Sequence, residues 1–402
     1  MLQIAGRDFF VRIHFMVIFV QTLGKDNYSE INIMRILFVG DASNYHNCLA
    51  SALRELGHET FVISNGNKWA NIERDATLGR EPGPVGAIGY VAKLMKLLPR
   101  MRGYDIVYLV STNFLLLRPG KIRMVFDYLK RNNRVVILSA LGTDCNYVRA
   151  CLDGSTFRYS DFRIGDEPSP YILSDESEKL KNWLDPSLER HSQYVVNGVD
   201  GIVACLYEYY KVYQTVAPDK LCYGAIPIDT RAIEPRQLDS PPERVQLFIG
   251  IQRARTILKG TDRLLAAAKR VHERHPDKCE ICAVENIPYK EYVAMMRSSH
   301  VILDQLYSYT PSTNALLGMA SGLVAVSGAE PEYYDLIGEH DCRPIVNALP
   351  YDDDALTEQI EQVVLNADRL PELSRMSREH VVKHNDSLMV ARRHIDFWDK
   401  II

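Results

Sequence analysis

The stretch VILDQLYSYTPSTNALLGMASGLVAV, residues 301–326, decides the fold. Its apolar start predicts a buried strand, Val301–Leu303, followed by a polar and aromatic loop at 304–310. Pro-Ser-Thr-Asn then favours a helix start, because Pro fits the first turn and the other three residue types suit N-terminal positions. We expect a helix over residues 315–320 and a second apolar strand over 323–326.

This order of strand, loop and helix start is how a doubly wound α/β domain forms a nucleotide site. A helix N-terminus offers free N–H groups and the positive end of the helix dipole, which suit a phosphate. Ser312, Thr313 and Asn314 are therefore candidate phosphate-binding residues. The alternative is that they only cap the helix.

Size and composition narrow the class of protein. The chain has 402 residues, which predicts two domains, and its 47% hydrophobic and 24% charged content is ordinary for a globular protein. The net charge of −4 gives no indication of a nucleic-acid partner. Eight scattered cysteines fit free thiols in a reducing compartment, so we expect a cytoplasmic protein.

Residues 1–33 do not fit the pattern of the rest. The apolar run at 9–23 is shorter than the roughly 20 residues of a membrane-spanning helix, and it contains Arg12 and His14. It also lacks the small-residue cleavage site of a signal peptide. Met34 then begins MRILFVGD, a typical first strand. We predict that 1–33 is a leader outside the fold.

From Met34 onward, short apolar strands alternate with helices on both sides of a polar join at 235–244. Such alternation indicates βαβ units and parallel sheets. We predict an α/β fold of two Rossmann-like, doubly wound domains that face each other across a cleft. The first is placed at 34–226, the linker at 227–243 and the second at 244–384. A last helix, 385–402, is expected to cross back to the first domain.

Four pieces of this sequence resemble the GT-B fold glycosyltransferases, the large retaining class that uses nucleotide sugars. They are the opening MRILFVGDASNYHNCLASALRELGHE, LGTD at 141–144, the Pro-x-Asp junction at Pro227 and Asp229, and the pair FIGIQRARTILKGTDRLL and MASGLVAVSGAEPE. The resemblance implies transfer of a hexosyl group from a nucleoside diphosphate sugar to a carbohydrate or lipid-linked acceptor. We expect a divergent member from surface-polysaccharide synthesis.

One departure from the family matters. Members usually carry two Glu eight residues apart around the donor helix, and alignment of MASG places Tyr309 and Leu317 there. Neither side chain can act as a carboxylate, so donor identity and stereochemistry stay open. Two alternatives follow: a nucleotide-sugar-binding subunit without catalysis, or a GT-B nucleotide-sugar 2-epimerase.

The expected donor site lies in the second domain. Cations after a strand would stabilise the charge that develops on a leaving diphosphate, without a metal ion. The resemblance implies that the loop after the next strand contacts the base, and we expect a later carboxylate of this chain to replace the missing ribose ligand. The candidates are Arg253, Arg255, Lys259, Ser312, Thr313 and Asn314 for the diphosphate, Glu285, Asn286 and Pro288 for the base, and Glu330 for the ribose. The alternatives are a solvated basic loop, helix caps and a solvated carboxylate.

The expected acceptor site lies in the first domain, where Gly40 permits a sharp turn after the first strand. Polar residues crowd around that turn and recur in the aromatic run FRYSDFRIGD. The catalytic candidates are Asp41, His46 and Asp144, and the acceptor-binding candidates are Gly40, Asn44, Asn47, Arg158, Asp161 and Arg163. A structural His and a helix-capping Asp are the alternatives for His46 and Asp144.

No metal or cofactor is expected beyond the donor substrate. Asp352, Asp353 and Asp354 come closest to a metal-binding motif, but their position predicts a cap for the helix that follows. A basic amphipathic helix at 88–102 carries Lys93 and Lys96 beside apolar residues. Such a helix can lie on anionic lipid, so we predict peripheral contact with the inner face of the membrane.

Overall fold

The computed structural model describes residues 33–67 and 69–402, apart from the side chains of Lys179 and Lys181. Within this part, Met34–Ile402 forms one structural unit. The predicted leader lies outside the described residues, except for Ile33. In the part of the chain that is described, none of the helices combines the length and apolarity that crossing a membrane requires.

Two parallel sheets organise the unit. The first has seven strands in the order β3-β2-β1-β4-β5-β8-β9, and the second has five in the order β11-β10-β12-β13-β14. A small antiparallel hairpin, β6-β7, lies in the chain between β5 and β8 of the first sheet. The strands are β1 Arg35–Val39, β2 Glu59–Ser64, β3 Ala76–Thr77, β4 Ile106–Leu109, β5 Val135–Ala140, β6 Arg163–Ile164, β7 Glu167–Pro168, β8 Gly201–Ala204, β9 Leu221–Tyr223, β10 Val245–Ile251, β11 Cys279–Glu285, β12 Val301–Leu303, β13 Val324–Ser327 and β14 Val346–Asn347.

Helices connect the parallel strands and cover the sheets. The central strands read as continuous apolar runs because both of their faces are buried, as in β4 and β12. The α-helices are Tyr45–Glu55, Gly83–Leu97, Pro119–Asn132, Cys145–Leu152, Glu178–Trp183, Pro186–Gly198, Tyr207–Val216, Thr256–Lys259, Thr261–Arg274, Tyr289–Ser298, Thr313–Ala320, Pro331–Ile337, Asp353–Leu365, Leu370–Asn385 and Ser387–Trp398.

Some boundaries differ from the sequence prediction. The helix implied by the capping alternative for Asp144 is present at Cys145–Leu152, where Asp144 accepts a hydrogen bond from the Tyr147 N–H. The predicted basic helix begins earlier, at Gly83, since Pro84 suits a first turn. It ends at Leu97 and passes into a 3-10 turn.

The last helix, Ser387–Trp398, packs on the first sheet's side of the molecule, against helix Tyr45–Glu55. Asp386 caps it by accepting hydrogen bonds from two backbone N–H groups. His394 lies between the hydroxyls of Tyr45 and Tyr108, and the indole of Trp398 donates to Tyr108 at 2.8 Å. The end of the described chain therefore completes the core next to β1 and β4.

The chain passes between the two sheets twice, and the two passages lie side by side. The Ile228 N–H donates to the Asn385 carbonyl, and the Asn385 side chain donates to the Ile226 carbonyl. Segments that follow the carboxyl ends of strands from both sheets line one cleft.

Candidate active site

The cleft between the two sheets has a volume of about 1150 Å³, ample for a nucleotide-sized ligand. On the second sheet's side it is lined by the segments that follow β10, β11 and β12. On the first sheet's side it is lined by the segments after β1 and β2. Of the predicted site residues, the cleft brings together Asn44, Asn47, Asp161, Arg255, Lys259, Asn286, Ser312, Thr313 and Asn314.

Lys259 is held at the end of the short helix Thr256–Lys259. Gly260 ends that helix with a φ of 68°, and a Cβ there would lie 2.7 Å from the Cβ of Leu306. The Leu306 N–H donates to the Lys259 carbonyl at 2.9 Å. Glycine is thus required at this turn, and the turn sets Lys259 into the cleft, where it is half-buried.

Asp304, at the end of β12, organises the neighbouring helix start. Its buried carboxylate accepts hydrogen bonds from Ser312 Oγ at 3.0 Å and Asn314 Nδ2 at 3.1 Å, and the ammonium of Lys259 lies 4.0 Å away. Ser312 makes no capping hydrogen bond with its side chain. The first-turn N–H groups therefore remain available to a ligand. The sequence placed Asp304 in the loop without assigning it a role.

The two arginines after β10 have different surroundings. Arg253 forms an ion pair with Glu285 at 2.6 Å, and its side chain is 81% exposed. Neither of these residues lines the cleft. Arg255 does line it and forms no ion pair within the described part of the chain. The geometry therefore favours Arg255 over Arg253 as a phosphate ligand.

The loop after β11 meets a tryptophan from the other side of the cleft. Trp69 donates its indole N–H to the Ile287 carbonyl at 2.8 Å and packs edge-on against Tyr289 and Tyr292. Asn286 lines the cleft beside it, whereas Pro288 only begins helix Tyr289–Ser298. Trp69 was not predicted, since nothing in residues 65–86 indicates which residue reaches across.

Asp161 is the titratable group that stands out on the first sheet's side. Tyr147 donates its hydroxyl to Asp161 Oδ2 at 3.0 Å. Burial raises the pKa of Asp161 to about 7, although this hydrogen bond and the charges of Arg255 and Lys259 oppose the rise. The nearby carboxylate of Glu208 adds to it. Asp161 thus titrates near neutral pH inside the cleft, close to the cations of the other sheet.

Two predicted catalytic residues do not reach the cleft. His46 is fully buried, with its ring nitrogens bonded to the Gly40 carbonyl at 2.7 Å and Ser139 Oγ at 2.8 Å. Burial lowers the pKa of His46 to about 4, so the ring is neutral. Asp144 is also buried: it caps its helix and accepts the Tyr213 hydroxyl at 2.5 Å. Both side chains are therefore buried and hydrogen-bonded within the protein, and neither lines the cleft.

Asp41 lies at the tip of the turn that Gly40 permits. Gly40 has a φ of 86°, and a Cβ there would meet Val110 at 2.3 Å. Asp41 Oδ1 accepts the His46 N–H at 2.8 Å, and burial raises the pKa of Asp41 to about 6. Asp41 faces a smaller pocket that adjoins the cleft.

Arg158 and Glu330 join the two sides of the molecule instead of lining the cleft. Arg158 donates to Glu330 at 2.8 Å and also to Glu332, while Tyr159 donates its hydroxyl to Glu330 at 2.6 Å. Arg163 is likewise outside the cleft, because it bonds carbonyls of its own hairpin. The predicted ribose carboxylate is therefore occupied by an inter-sheet contact.

Tyr309, at one of the two positions where the resembled family has Glu, belongs to the same contact. Its hydroxyl accepts the Arg158 N–H at 2.7 Å, and its ring stacks on Tyr159 and Tyr207. Glu208, which was not predicted, accepts the Tyr309 N–H at 2.6 Å. We call Arg158, Tyr159, Glu208, Tyr309 and Glu330 the bracket. Leu317, at the other position, lines the cleft.

A group with the donor set for a metal ion lies away from the cleft. Among residues 33–67 and 69–402, Glu339, His380 and His384 have ligand atoms within 4.8 Å of one another. Their atoms are already engaged: Glu339 accepts from Lys383, His384 and two backbone N–H groups, and His380 bonds the Tyr333 hydroxyl. This is a satisfied polar network beside helix Leu370–Asn385. The Asp run at 352–354 caps the next helix, as predicted.

Comparisons with known proteins bear on the fold. No protein-family model and no curated protein sequence matches the chain. Sucrose-phosphate synthase from Thermosynechococcus elongatus superposes with a TM-score of 0.57 at 14% identity, over 91% of this chain and 98% of that one. HepE from Anabaena in complex with UDP-glucose gives 0.56 at 12% identity, over 91% and 100%. A proposed UDP-N-acetylglucosamine 2-epimerase from Listeria monocytogenes gives 0.50 at 9% identity, over 91% and 95%.

At these identities the similarity is one of architecture. The predicted GT-B fold, with two Rossmann-like domains across a cleft, is confirmed. The roles of individual residues rest on the geometry of this chain.

Proposed function

We propose that this protein is a glycosyltransferase that moves a hexosyl group from a nucleoside diphosphate sugar to a carbohydrate or lipid-linked acceptor. The observation that carries the proposal is the set of Arg255, Lys259 and the helix start at Ser312, all lining one wall of the cleft. Cations and free N–H groups converge there, as a diphosphate requires. HepE, which shares the fold, is described with UDP-glucose in place.

The chemistry assigned to these groups is electrostatic. As the bond between the sugar and the diphosphate breaks, negative charge develops on the leaving oxygen. Lys259 is held in place before the reaction, so it stabilises that charge at little reorganisation cost, and Arg255 adds a second cation on the same wall. Asp304 holds Lys259 and the helix start together. We propose that no metal ion is needed for this step.

The acceptor is assigned to the opposite wall, where Asp161 faces the cations. In its ionised form Asp161 accepts a hydrogen bond from the acceptor hydroxyl and so orients it toward the sugar. Asn44 and Asn47, which also line this wall, supply further polar contacts.

A lipid-linked acceptor would explain one surface feature. Helix Gly83–Leu97 exposes Val85, Ile88 and Met95 together with Lys93 and Lys96. Apolar side chains beside lysines suit an anionic membrane surface. We therefore propose peripheral contact at the cytoplasmic face of a membrane, in synthesis of a surface glycan.

Two other functions have an observation in their favour. Tyr309 is part of the bracket and Leu317 is apolar, so neither of these two positions supplies a carboxylate. The absence of a carboxylate at both positions favours a nucleotide-sugar-binding subunit without catalysis. The structural likeness to a proposed 2-epimerase favours inversion at C2 of the donor.

One donor screen separates the three. Purified protein is incubated with UDP-, GDP- and ADP-sugars, with EDTA and with a mixture of glycan acceptors, and the products are followed by NMR. The proposal is supported if, in the presence of EDTA, the sugar is still transferred to an acceptor and the nucleoside diphosphate is still released. Binding without turnover supports the subunit, and a C2 epimer of the donor supports the epimerase. Loss of turnover with EDTA that added metal restores would overturn the metal-free mechanism.

A further inference from the structure

Trp69 joins the loop after β2 to the second sheet's side of the cleft. Its indole N–H donates to the Ile287 carbonyl at 2.8 Å, and its ring meets Tyr289 and Tyr292 edge-on, with centroids 5.1 and 5.3 Å away. All four residues line the cleft. Trp69 is nevertheless 50% exposed, so the contact buries little apolar surface and is weak enough for a ligand to replace.

The loop that carries Trp69 is held together without this contact. Asn65 Oδ1 accepts the Asn67 N–H, and Asn67 Oδ1 accepts the Trp69 N–H, both at 3.1 Å. The Ile72 N–H donates to the Gly66 carbonyl at 2.7 Å. Because these bonds lie within the loop, they persist when the indole leaves the Ile287 carbonyl. The side chain can therefore move without unfolding the loop.

The contact lies where the proposed donor needs space for its base. The diphosphate is assigned to Lys259, after β10, and to the helix start at Ser312, after β12, and the sugar faces Asp161 on the opposite wall. In the second sheet β11 is the neighbour of β10 on the side away from β12. The nucleoside therefore extends along the carboxyl edge of the sheet to the loop after β11, where the Ile287 carbonyl lies.

An indole and a nucleobase make the same kinds of contact. Each is a flat aromatic ring system with an N–H group that can donate to a backbone carbonyl, and each packs against aromatic side chains. Since Trp69 fills the ring space beside the Ile287 carbonyl, a base cannot take that space and that acceptor while the indole is there.

We propose that Trp69 is an autoinhibitory side chain, and that the base of the donor binds only after it has displaced the indole from the Ile287 carbonyl. This inference rests on the proposed function and adds how access to the nucleotide site is regulated. The diphosphate end of the site is not affected, because Trp69 makes no contact with Lys259 or Ser312 among the described residues.

Calorimetry on the full chain tests the inference with UDP and with inorganic pyrophosphate, which has no base. Trp69→Phe keeps an aromatic ring but loses the N–H, and Trp69→Ala vacates the space. Removal of one hydrogen bond that competes with the base should tighten UDP binding about two- to tenfold in Trp69→Phe, and at least as much in Trp69→Ala. Pyrophosphate should bind wild type and both variants within about twofold. Trp183→Phe, at a partly buried tryptophan outside the cleft lining, is the matched control and should bind UDP like wild type.

Fluorescence supplies a second measurement. The chain has three tryptophans, so the difference between the spectra of wild type and Trp69→Phe isolates the emission of Trp69. UDP should shift that emission to longer wavelength, because the indole moves from the two tyrosines into water, and pyrophosphate should leave it unchanged.

UDP affinity that is unchanged or weaker in either Trp69 variant overturns the inference, because the indole would then be neutral or would itself hold the base. An equal gain in affinity for pyrophosphate, or an unshifted Trp69 emission in UDP-bound wild type, also overturns it. In these cases the ligands still bind and the proposed function stands. If wild type and both variants bind none of UDP, GDP and ADP, the proposed function itself is overturned together with the inference.

Discussion

The two ends of the loop between β12 and helix Thr313–Ala320 differ in how their polar groups are used. At one end, Asp304 holds Lys259 and Ser312, yet the cation and the helix N–H groups stay open to the cleft. At the other end, Tyr309 is buried in the bracket, with its N–H and hydroxyl both bonded to the first sheet's side.

The difference depends on the residue at position 309. In the resembled family a carboxylate is expected near position 309, and here an aromatic ring fills that place and binds the two sides together. The cationic wall, only a few residues away, does not depend on that carboxylate. Ligand binding and inter-sheet packing are thus separable within one loop, and the following variants test this separation.

The largest effect is expected on stability, from Tyr309→Ala. Tyr309 is only 2% exposed and touches two other tyrosines, so removing the ring should lower the free energy of unfolding by about 3–5 kcal/mol. Tyr309→Phe keeps the ring and should lose about 1 kcal/mol with the hydrogen bond. Urea unfolding measures both. An alanine variant as stable as the phenylalanine variant would show that the bracket is not structural.

Lys259→Ala should weaken the binding of UDP and leave the stability of the protein largely unchanged. Loss of a charge-assisted hydrogen bond of about 1.5–3 kcal/mol should weaken UDP affinity roughly ten- to a hundredfold. Calorimetry measures it, with Lys290→Ala, an exposed lysine outside the cleft lining, as the matched control. Equal affinity for both variants would contradict the assignment of the cationic wall.

The pH dependence should come from Asp161. Its pKa is raised to about 7 by burial, with Tyr147, Arg255 and Lys259 acting against the rise and Glu208 adding to it. If the ionised form orients the acceptor, turnover should fall about tenfold per pH unit below pH 7. Tyr147→Phe removes a hydrogen bond that lowers this pKa, so the midpoint should move to higher pH. An unshifted profile in that variant would exclude Asp161 as the titrating group.

The smallest effect should separate the two arginines. Arg255→Ala should weaken UDP binding about fivefold, which corresponds to the loss of about 1 kcal/mol from an exposed cation. The loss of affinity should be smaller at high salt, because salt screens the charge. Arg253→Ala should stay within twofold of wild type, because Arg253 pairs with Glu285 away from the cleft. A reversed order of the two variants would place the diphosphate on the other side of this turn.

Much of the fold could be predicted from the sequence because its signals are local. Apolar runs such as Val301–Leu303 and turn residues such as Gly40 determine strands and turns within a few positions. The helix Cys145–Leu152 was expected only as the alternative role of Asp144, because its signal is one capping residue inside an aromatic and polar stretch. The helix Tyr207–Val216 was missed.

Some of the residues that line the cleft could be predicted from the sequence. Lys259 and Ser312 line the cleft because they follow strand ends, which a sequence reveals. The hydrogen bond from Arg158 to Glu330 could not be predicted, since the two residues are 172 positions apart in the sequence. The same holds for Trp69 and Ile287, which are 218 positions apart. Such distant partners decide whether a polar residue is free to face a ligand or instead joins the two sheets.

The helix Ser387–Trp398 has a consequence for synthesis on the ribosome. Tyr45 and His394 meet in the core although 349 positions separate them. The first sheet is translated early, but the surface beside Tyr45 and Tyr108 stays uncovered until the last helix has been made. The core beside Tyr45 and Tyr108 is therefore completed only by residues translated near the end, and until then the nascent chain exposes an apolar face that chaperones can bind.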